Sequence, residues 1–148
     1  MNNRMLVPID LGHEAVFDLV FSAVAAMAVQ YDAEIHLITV VPDDVAIWPY
    51  VPRNSVDEAI EEAGTELREI AQLEFRDGTH WQSTALAGPV APTVVGRAVD
   101  IGAGLIVMAS HNPRSRDILL GGTADRVLRR APCSVVVLRA AGGWRWSG

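Results

Sequence analysis

Along the chain, short apolar runs typical of strands alternate with segments in which apolar residues have the spacing of a helix. Short runs of apolar, often β-branched residues are bounded by glycine, proline or aspartate, which is typical of buried strands. These runs predict strands at 5–9, 34–41, 81–86, 105–109 and 134–138. The run at 105–109 is continuous, which indicates a strand that is buried on both faces of a sheet.

Between the strands, apolar residues recur at steps of three and four, which is the period of an α-helix. This spacing predicts helices at 14–31, from 55 through at least 71, at 92–101 and at 123–131. Ser55 and Glu58 have the spacing of a capping box, so we expect the second helix to begin at Ser55. Gly102 and Pro132 end the third and fourth helices.

Strands and helices therefore alternate from one end of the chain to the other. Short helical crossovers between buried strands imply a parallel sheet with helices on both faces. We expect an α/β fold of the Rossmann-like type, built on an open five-stranded parallel sheet. The length of 148 residues favours one domain, which we place at 1–140 and follow with a C-terminal tail at 141–148.

Composition and charge exclude several function classes. The formal net charge is −6, which disfavours binding to nucleic acid or to an anionic membrane surface. All 12 basic residues are arginine, and the absence of lysine excludes a Walker-A loop, a Schiff base and a receiver-domain lysine. Cys133 is the sole cysteine, so the chain has no internal disulfide, and we expect its thiol to be buried and inert.

No segment of the sequence predicts secretion or insertion into a membrane. The N-terminus has neither the apolar core nor the cleavage site of a signal peptide. The most apolar stretch, 15–29, is shorter than the ~20 residues that a membrane span requires. We therefore expect a cytoplasmic protein. The four histidines are too scattered to predict a metal site, and structural roles are expected for His36 and His80.

The segment 110–122 is the strongest candidate for a ligand site. In an open parallel sheet, ligands bind outside the carboxyl ends of the strands, where this segment lies. It carries His111, Arg114 and Arg116, and Gly121, Gly122 and Thr123 then open a helix whose free N–H groups favour anions. A phosphate site is one interpretation. The alternative is an ordinary turn and N-cap, with the arginines in solvent.

The same segment resembles a known family. Residues 107–112 and 119–139, which include Leu-Leu-Gly-Gly-Thr-Ala-Asp-Arg-Val and Ala-Pro-Cys-Ser-Val-Val-Val-Leu-Arg, resemble the C-terminal signature of universal stress proteins. Residues 5–10 and 35–42 resemble the family's first two strands. The resemblance covers nearly the whole chain and is weakest between Pro42 and Gly88. It implies the strand order 3-2-1-4-5, with a crevice between the first and fourth strands.

The resemblance also implies a nucleotide site that holds ATP, alone or with Mg²⁺. In that site Asp10 and Val40, with Pro8 beside them, would border adenine and ribose. The remaining residues would line the phosphate loop or hold phosphate oxygens: Met108, Ala109, His111, Asn112, Arg114, Gly122, Thr123 and Ala124. No catalytic residue and no metal ligand is implied.

The chain departs from the family's G-x-x-G pattern at two positions. The two glycines of that pattern fall on Ala109 and Asn112, whereas Gly122 and Thr123 keep the family's second half. Ala109 adds one methyl group at a strand end. Asn112 tolerates a positive φ better than most residues and can donate a side-chain hydrogen bond. We expect the site to keep nucleotide.

Three functions follow from these observations. The first is a stress-response protein that binds ATP or a related adenine nucleotide and acts as a dimeric regulatory module. The second is a nucleotide-free interaction protein of the same fold, and the third is a slow ATPase. The resemblance implies a homodimer paired through the fifth strand, 134–138; the regulatory protein partner is unknown. A dinucleotide-binding domain is disfavoured because Gly12 stands alone after the first strand.

A few residues have alternative roles. Asp10 could cap the following helix as well as contact a ligand. Ser110 and His111 suggest a nucleophile and base, but no G-x-S-x-G motif surrounds them, so a hydrolase is not expected. Trp144 and Trp146 could pack at a subunit interface or lie in a frayed tail.

Overall fold

The computed structural model describes residues 3–42, 53–110, 121–139 and 144–146. The strands are β1 (Arg4–Pro8), β2 (Glu34–Val41), β3 (Trp81–Ala87), β4 (Leu105–Ser110) and β5 (Ser134–Arg139). The helices are α1 (Phe17–Tyr31), α2 (Arg53–Glu74), α3 (Val90–Ile101) and α4 (Gly122–Arg130), and a 3₁₀ turn (Glu14–Val16) precedes α1. The side chains of residues 53 and 54 are outside the description.

The five strands form one parallel sheet in the order β3-β2-β1-β4-β5. The α/β class and this order confirm the sequence prediction. Gly102 ends α3 in the left-handed conformation (φ 63°), as predicted. The predicted start of α2 is wrong: the helix begins two residues before Ser55, so Ser55 lies in its first turn. The Ser-x-x-Glu spacing also occurs within helices, where both side chains face solvent.

The helices cover the two faces of the sheet in pairs. On one face α1 and α2 bury a core that includes Phe21, Leu67 and Phe75 against β1 and β2. Phe21 and Phe75 meet edge to face with ring centroids 5.0 Å apart, a favourable geometry for aromatic rings. On the other face α3 and α4 pack through Val94 and Val127 against Leu6, Ile38 and Ile106. The alternation of buried side chains along each strand produces these two cores.

Helix α1 is apolar enough to be confused with a membrane span. Residues 14–31 have a mean hydropathy of 1.4 over 18 residues, and this is the one such helix in the described part of the chain. Phe17, Val20, Phe21 and Val24 are buried, and all four belong to the core between the helix and the sheet. Packing on the sheet therefore explains the apolar residues on the buried face of α1.

Residues 144–146 of the C-terminal tail lie against the rest of the fold. Trp146 is half-buried and packs against the core that α1 and α2 share with the sheet. Trp144 is 72% exposed and contacts Trp146 with ring centroids 6.0 Å apart. The tail therefore contributes one aromatic ring to the core and leaves the second in solvent.

His36 has a structural environment at the other end of the sheet. Its side chain is 8% exposed, and its Nε2 lies 2.7 Å from Oε1 of Glu34. Gln82 donates to the same carboxylate oxygen at 3.2 Å. These residues lie on β2 and β3, at the ends opposite to the crevice described below.

Candidate functional site

A crevice opens where the chain leaves the central strands in opposite directions. The chain goes from β1 to α1 on one face of the sheet, and from β4 to α4 on the other. Because β1 and β4 are neighbours, their carboxyl ends are left uncovered between the two connections. A cavity of about 430 Å³ lies there, within the usual range of about 300–1,000 Å³ for small-molecule sites.

Eight of the eleven residues predicted for the site line this one cavity: Pro8, Asp10, Val40, Met108, Ala109, Gly122, Thr123 and Ala124. They come from the ends of three strands and the first turn of α4. The other three, His111, Asn112 and Arg114, lie outside the described residues, as does the 43–52 connection. The structure thus brings together all the predicted residues that it describes.

The first turn of α4 presents free N–H groups to the cavity. Gly121 is the N-cap, and its carbonyl accepts the first intrahelical hydrogen bond from Asp125 N–H at 3.0 Å. The N–H groups of Gly122, Thr123 and Ala124 have no acceptor inside the helix, as at every helix start. Together with the positive end of the helix dipole, these groups favour an anion.

The one acidic residue in that turn is paired. Asp125 would oppose an anion at the start of α4, but Arg129 Nε donates to both of its carboxylate oxygens at 3.1 Å. The spacing is i,i+4 on one exposed helix face. The Arg129 guanidinium therefore offsets part of the negative charge beside the free N–H groups.

The end of β2 offers a donor and an acceptor to the same cavity. The last registered pair between β1 and β2 joins Pro8 to Ile38, and Ile9 N–H donates to the Ile38 carbonyl at 2.8 Å. Backbone groups of alternate residues point to the same neighbour, so Val40 also points its N–H and C=O toward the β1 side. Among the described residues, no group of β1 forms a hydrogen bond with the N–H or C=O of Val40. Val40 can therefore pair with the edge of a planar, polar ligand.

Asp10 is held by the turn that follows β1. Its Oδ1 accepts a hydrogen bond from Gly12 N–H at 3.0 Å, and its Oδ2 lies 2.7 Å from His13 Nδ1. The alternative role of Asp10 as a helix cap is wrong, because neither the 3₁₀ turn nor α1 has a side-chain cap. The Asp10 carboxylate contacts Gly12 and His13 instead of a helix N-terminus. The carboxylate is thereby fixed at the rim of the cavity and stays about half-exposed.

Sequence reasoning missed the helical walls of the cavity. Val16 lines it from the 3₁₀ turn and Phe17 and Val20 from the start of α1. Ala63 lines it from α2, and Val90 and Val94 from α3. Thr39 also lines it and is only 4% exposed. These helical walls are apolar and come from both faces of the sheet, which suits a flat hydrophobic group. Helical periodicity indicates which positions are buried, and only the packing of the helices shows which of them face the cavity.

In the ranges that the structure describes, no three His, Cys, Asp or Glu side chains come together in a way that could hold a metal ion. Ser110 Oγ accepts a hydrogen bond from Gly121 N–H at 3.0 Å. Cys133 is half-buried, and burial raises the pKa of its thiol. The arrangement is suited to binding a ligand with an anionic end and a flat end.

Comparisons with known proteins agree with this architecture. The sequence profile of the universal stress protein family matches residues 1–139. Universal stress protein MJ0531 of Methanocaldococcus jannaschii is 31% identical over 119 residues, which cover 76% of this chain and 69% of that protein.

Solved structures share the fold. The structure of MJ0577 matches with a TM-score of 0.77 and 22% identity, over 97% of this chain and 99% of that one. A universal stress protein in complex with cAMP matches with a TM-score of 0.61 and 18% identity, over 95% of this chain and 98% of that one.

Proposed function

The chain belongs to the universal stress protein family, and we propose that it binds ATP or a related adenine nucleotide in the crevice between β1 and β4. The observation that carries this proposal is the joint lining of one cavity by Val40 and by the first turn of α4. The Val40 backbone supplies a hydrogen-bond donor and an acceptor for a base. The first turn of α4 supplies free N–H groups for phosphate.

The base and ribose lie toward Pro8, Asp10 and Val40 in this proposal. The apolar side chains from α1, α2 and α3 surround the flat ring, and the edge of adenine, which has adjacent donor and acceptor atoms, pairs with the Val40 backbone. The Asp10 carboxylate, fixed by Gly12 and His13, accepts hydrogen bonds from the ligand's amino or hydroxyl groups.

The phosphates lie at the start of α4. Gly122, Thr123 and Ala124 donate their backbone N–H groups, and the Thr123 hydroxyl adds a donor. Met108 and Ala109 form the β4 side of the same subsite. We assign His111, Asn112 and Arg114 to the phosphate loop on the family resemblance, with Mg²⁺ as the counter-ion of the bound nucleotide.

A relative supports adenine nucleotides as the ligand class. One universal stress protein with this fold has been solved in complex with cAMP. The adenine ring and a phosphate are common to cAMP and ATP, so the same two halves of a cavity serve both. ATP has the longer anionic end, and three free N–H groups at α4 favour the more highly charged ligand.

A homodimer through β5 completes the proposed module. In the described part of the chain, β5 pairs only with β4, so its outer edge is open. Val135, Val136 and Val137 are half-buried along this strand. An open apolar edge is prone to pair with another strand, and β5 of a second copy of the chain supplies that strand. The module would act in the cytoplasm, where its nucleotide state regulates a partner.

Release of bound nucleotide and a thermal melt test this function. The purified protein is denatured, and any released nucleotide is identified by chromatography and mass spectrometry. A ligand at about one hundred times its Kd stabilises the folded state by ~2.7 kcal/mol, which is roughly 5–10 °C in Tm for this size. We expect ATP to give such a shift. An empty protein with an unmoved melt favours the nucleotide-free dimer, in which Ala109 and Asn112 close the site.

A further inference from the structure

Ser110 joins the end of β4 to the start of α4. It is the last residue of β4, and its Oγ accepts a hydrogen bond from Gly121 N–H at 3.0 Å across eleven positions of sequence. The bond is partly buried. It holds Ser110 and Gly121 at a fixed separation.

The bond fixes the N-cap of α4 from outside the helix. Gly121 has no side-chain cap, and its carbonyl is already used by Asp125 N–H. Its N–H is used by Ser110. With both of its polar groups bonded, Gly121 sets the direction in which the next three N–H groups point relative to the sheet.

The two walls that Ser110 connects are the two sides of the phosphate subsite. Met108 and Ala109, just before Ser110 on β4, line the cavity, and so do Gly121 and Gly122 at the start of α4. Ser110 does not line the cavity itself. It therefore acts on a ligand only through the residues that it holds.

We propose that Ser110 is a positioning residue for phosphate binding, which holds the start of α4 against the end of β4 so that its free N–H groups converge on the anion. This inference rests on the proposed nucleotide-binding function. A site that is organised before the ligand arrives binds more tightly, because the ligand does not have to order it. This positioning role accounts for a serine beside His111 without assigning Ser110 the role of a nucleophile.

Three variants test this role. Ser110→Ala removes the acceptor, Ser110→Thr keeps it, and Ser83→Ala on β3 is the control for loss of a half-buried serine hydroxyl outside the cavity. ATP affinity is measured by calorimetry, and exchange of the Gly121 amide proton by NMR. One neutral hydrogen bond corresponds to a few-fold change, so we expect Ser110→Ala to weaken ATP binding about three- to tenfold and to speed up exchange at Gly121.

The other variants complete the pattern. Ser110→Thr restores both the affinity and the slow exchange, and Ser83→Ala changes neither. Ser110→Cys keeps the side-chain volume with a weaker acceptor, so it repeats the loss independently. Wild-type affinity in Ser110→Ala, or weakened binding with the Gly121 amide still protected, overturns the positioning role and leaves the proposed function intact. Failure of the wild-type protein to bind ATP overturns both.

Discussion

His13 Nδ1 lies 2.7 Å from Oδ2 of Asp10, and Gly12 N–H donates to the other oxygen of the same carboxylate at 3.0 Å. The turn that leaves β1 therefore orients a charged acceptor at the rim of the cavity before any ligand is present. The orientation comes from Asp10, Gly12 and His13 within one short turn, and not from the helix that follows.

Replacing Asp10 tests whether that carboxylate contacts the nucleotide. A hydrogen bond to a charged group contributes about 1.5–3 kcal/mol, so we expect Asp10→Ala to weaken ATP binding roughly tenfold or more by calorimetry. Asp18→Ala is the matched control, because Asp18 is an exposed aspartate of α1 that does not line the cavity. Equal affinities of the two variants would remove Asp10 from the site.

A carboxylate placed at the start of α4 separates binding from folding. We expect Gly122→Asp to lower ATP affinity at least tenfold, because its charge repels phosphate and accepts the free N–H groups. The same charge is favourable at a helix N-terminus, so the free energy of unfolding rises by ~0.3–1 kcal/mol. Denaturant unfolding and calorimetry measure the two effects.

Gly96→Asp is the control for this substitution. Gly122 and Gly96 are both exposed, and a Cβ atom built at either meets no other atom within 4 Å. Gly96 lies on α3, outside the cavity lining. Gly96→Asp should leave ATP affinity at the wild-type value. Unchanged binding in Gly122→Asp would show that the ligand does not use the start of α4.

The two tryptophans of the tail should differ in their contribution to stability. Trp146 packs on the core, so we expect Trp146→Ala to lower the free energy of unfolding by about 1–3 kcal/mol through lost apolar burial. Trp144 is 72% exposed, and Trp144→Ala should cost under ~1 kcal/mol, mostly the ring contact. Denaturant titrations followed by circular dichroism compare them. Equal, small losses would indicate that the tail does not pack on the domain in solution.

The Cys133 thiol gives the protein a pH dependence at alkaline pH. Burial raises the pKa of this thiol, so the folded protein keeps a proton that the unfolded chain has already released. The free energy of unfolding therefore falls as pH rises from the unfolded pKa toward the folded pKa. Thiolate absorbance should appear at higher pH in the native protein than in guanidinium. Cys133→Ala should lose this part of the pH dependence. Titration of the Cys133 thiol at the same pH in the folded and the unfolded protein would contradict this prediction.

Much of the fold could be predicted because it depends on local periodicity. The change between strand and helix spacing predicts the five strands and four helices found in the described ranges, and their alternation predicts the parallel sheet. The strand order came from the family resemblance, since periodicity does not fix which strands are neighbours. The start of α2 was missed because the residues before Ser55 are compatible with either a loop or a first helical turn.

The site was predictable where it depends on strand ends and missed where it depends on packing. Asp10, Val40 and Ala109 lie at carboxyl ends of strands, which must converge at one edge of a parallel sheet. Ala63 reaches the cavity only because α2 packs against the strands at this edge of the sheet. Likewise, the bond between Ser110 and Gly121 joins residues eleven positions apart, and no spacing rule predicts it.

Calorimetric titration of ATP into the purified, nucleotide-stripped wild-type protein is the direct test of nucleotide binding in the crevice. Nucleotide binding between β1 and β4 predicts saturable binding of one ATP per chain. The same titration into Gly122→Asp should show affinity at least tenfold weaker, while Gly96→Asp binds as the wild type does. The absence of saturable binding by the wild type at millimolar ATP would contradict the account, and so would equal affinities of the wild type and Gly122→Asp.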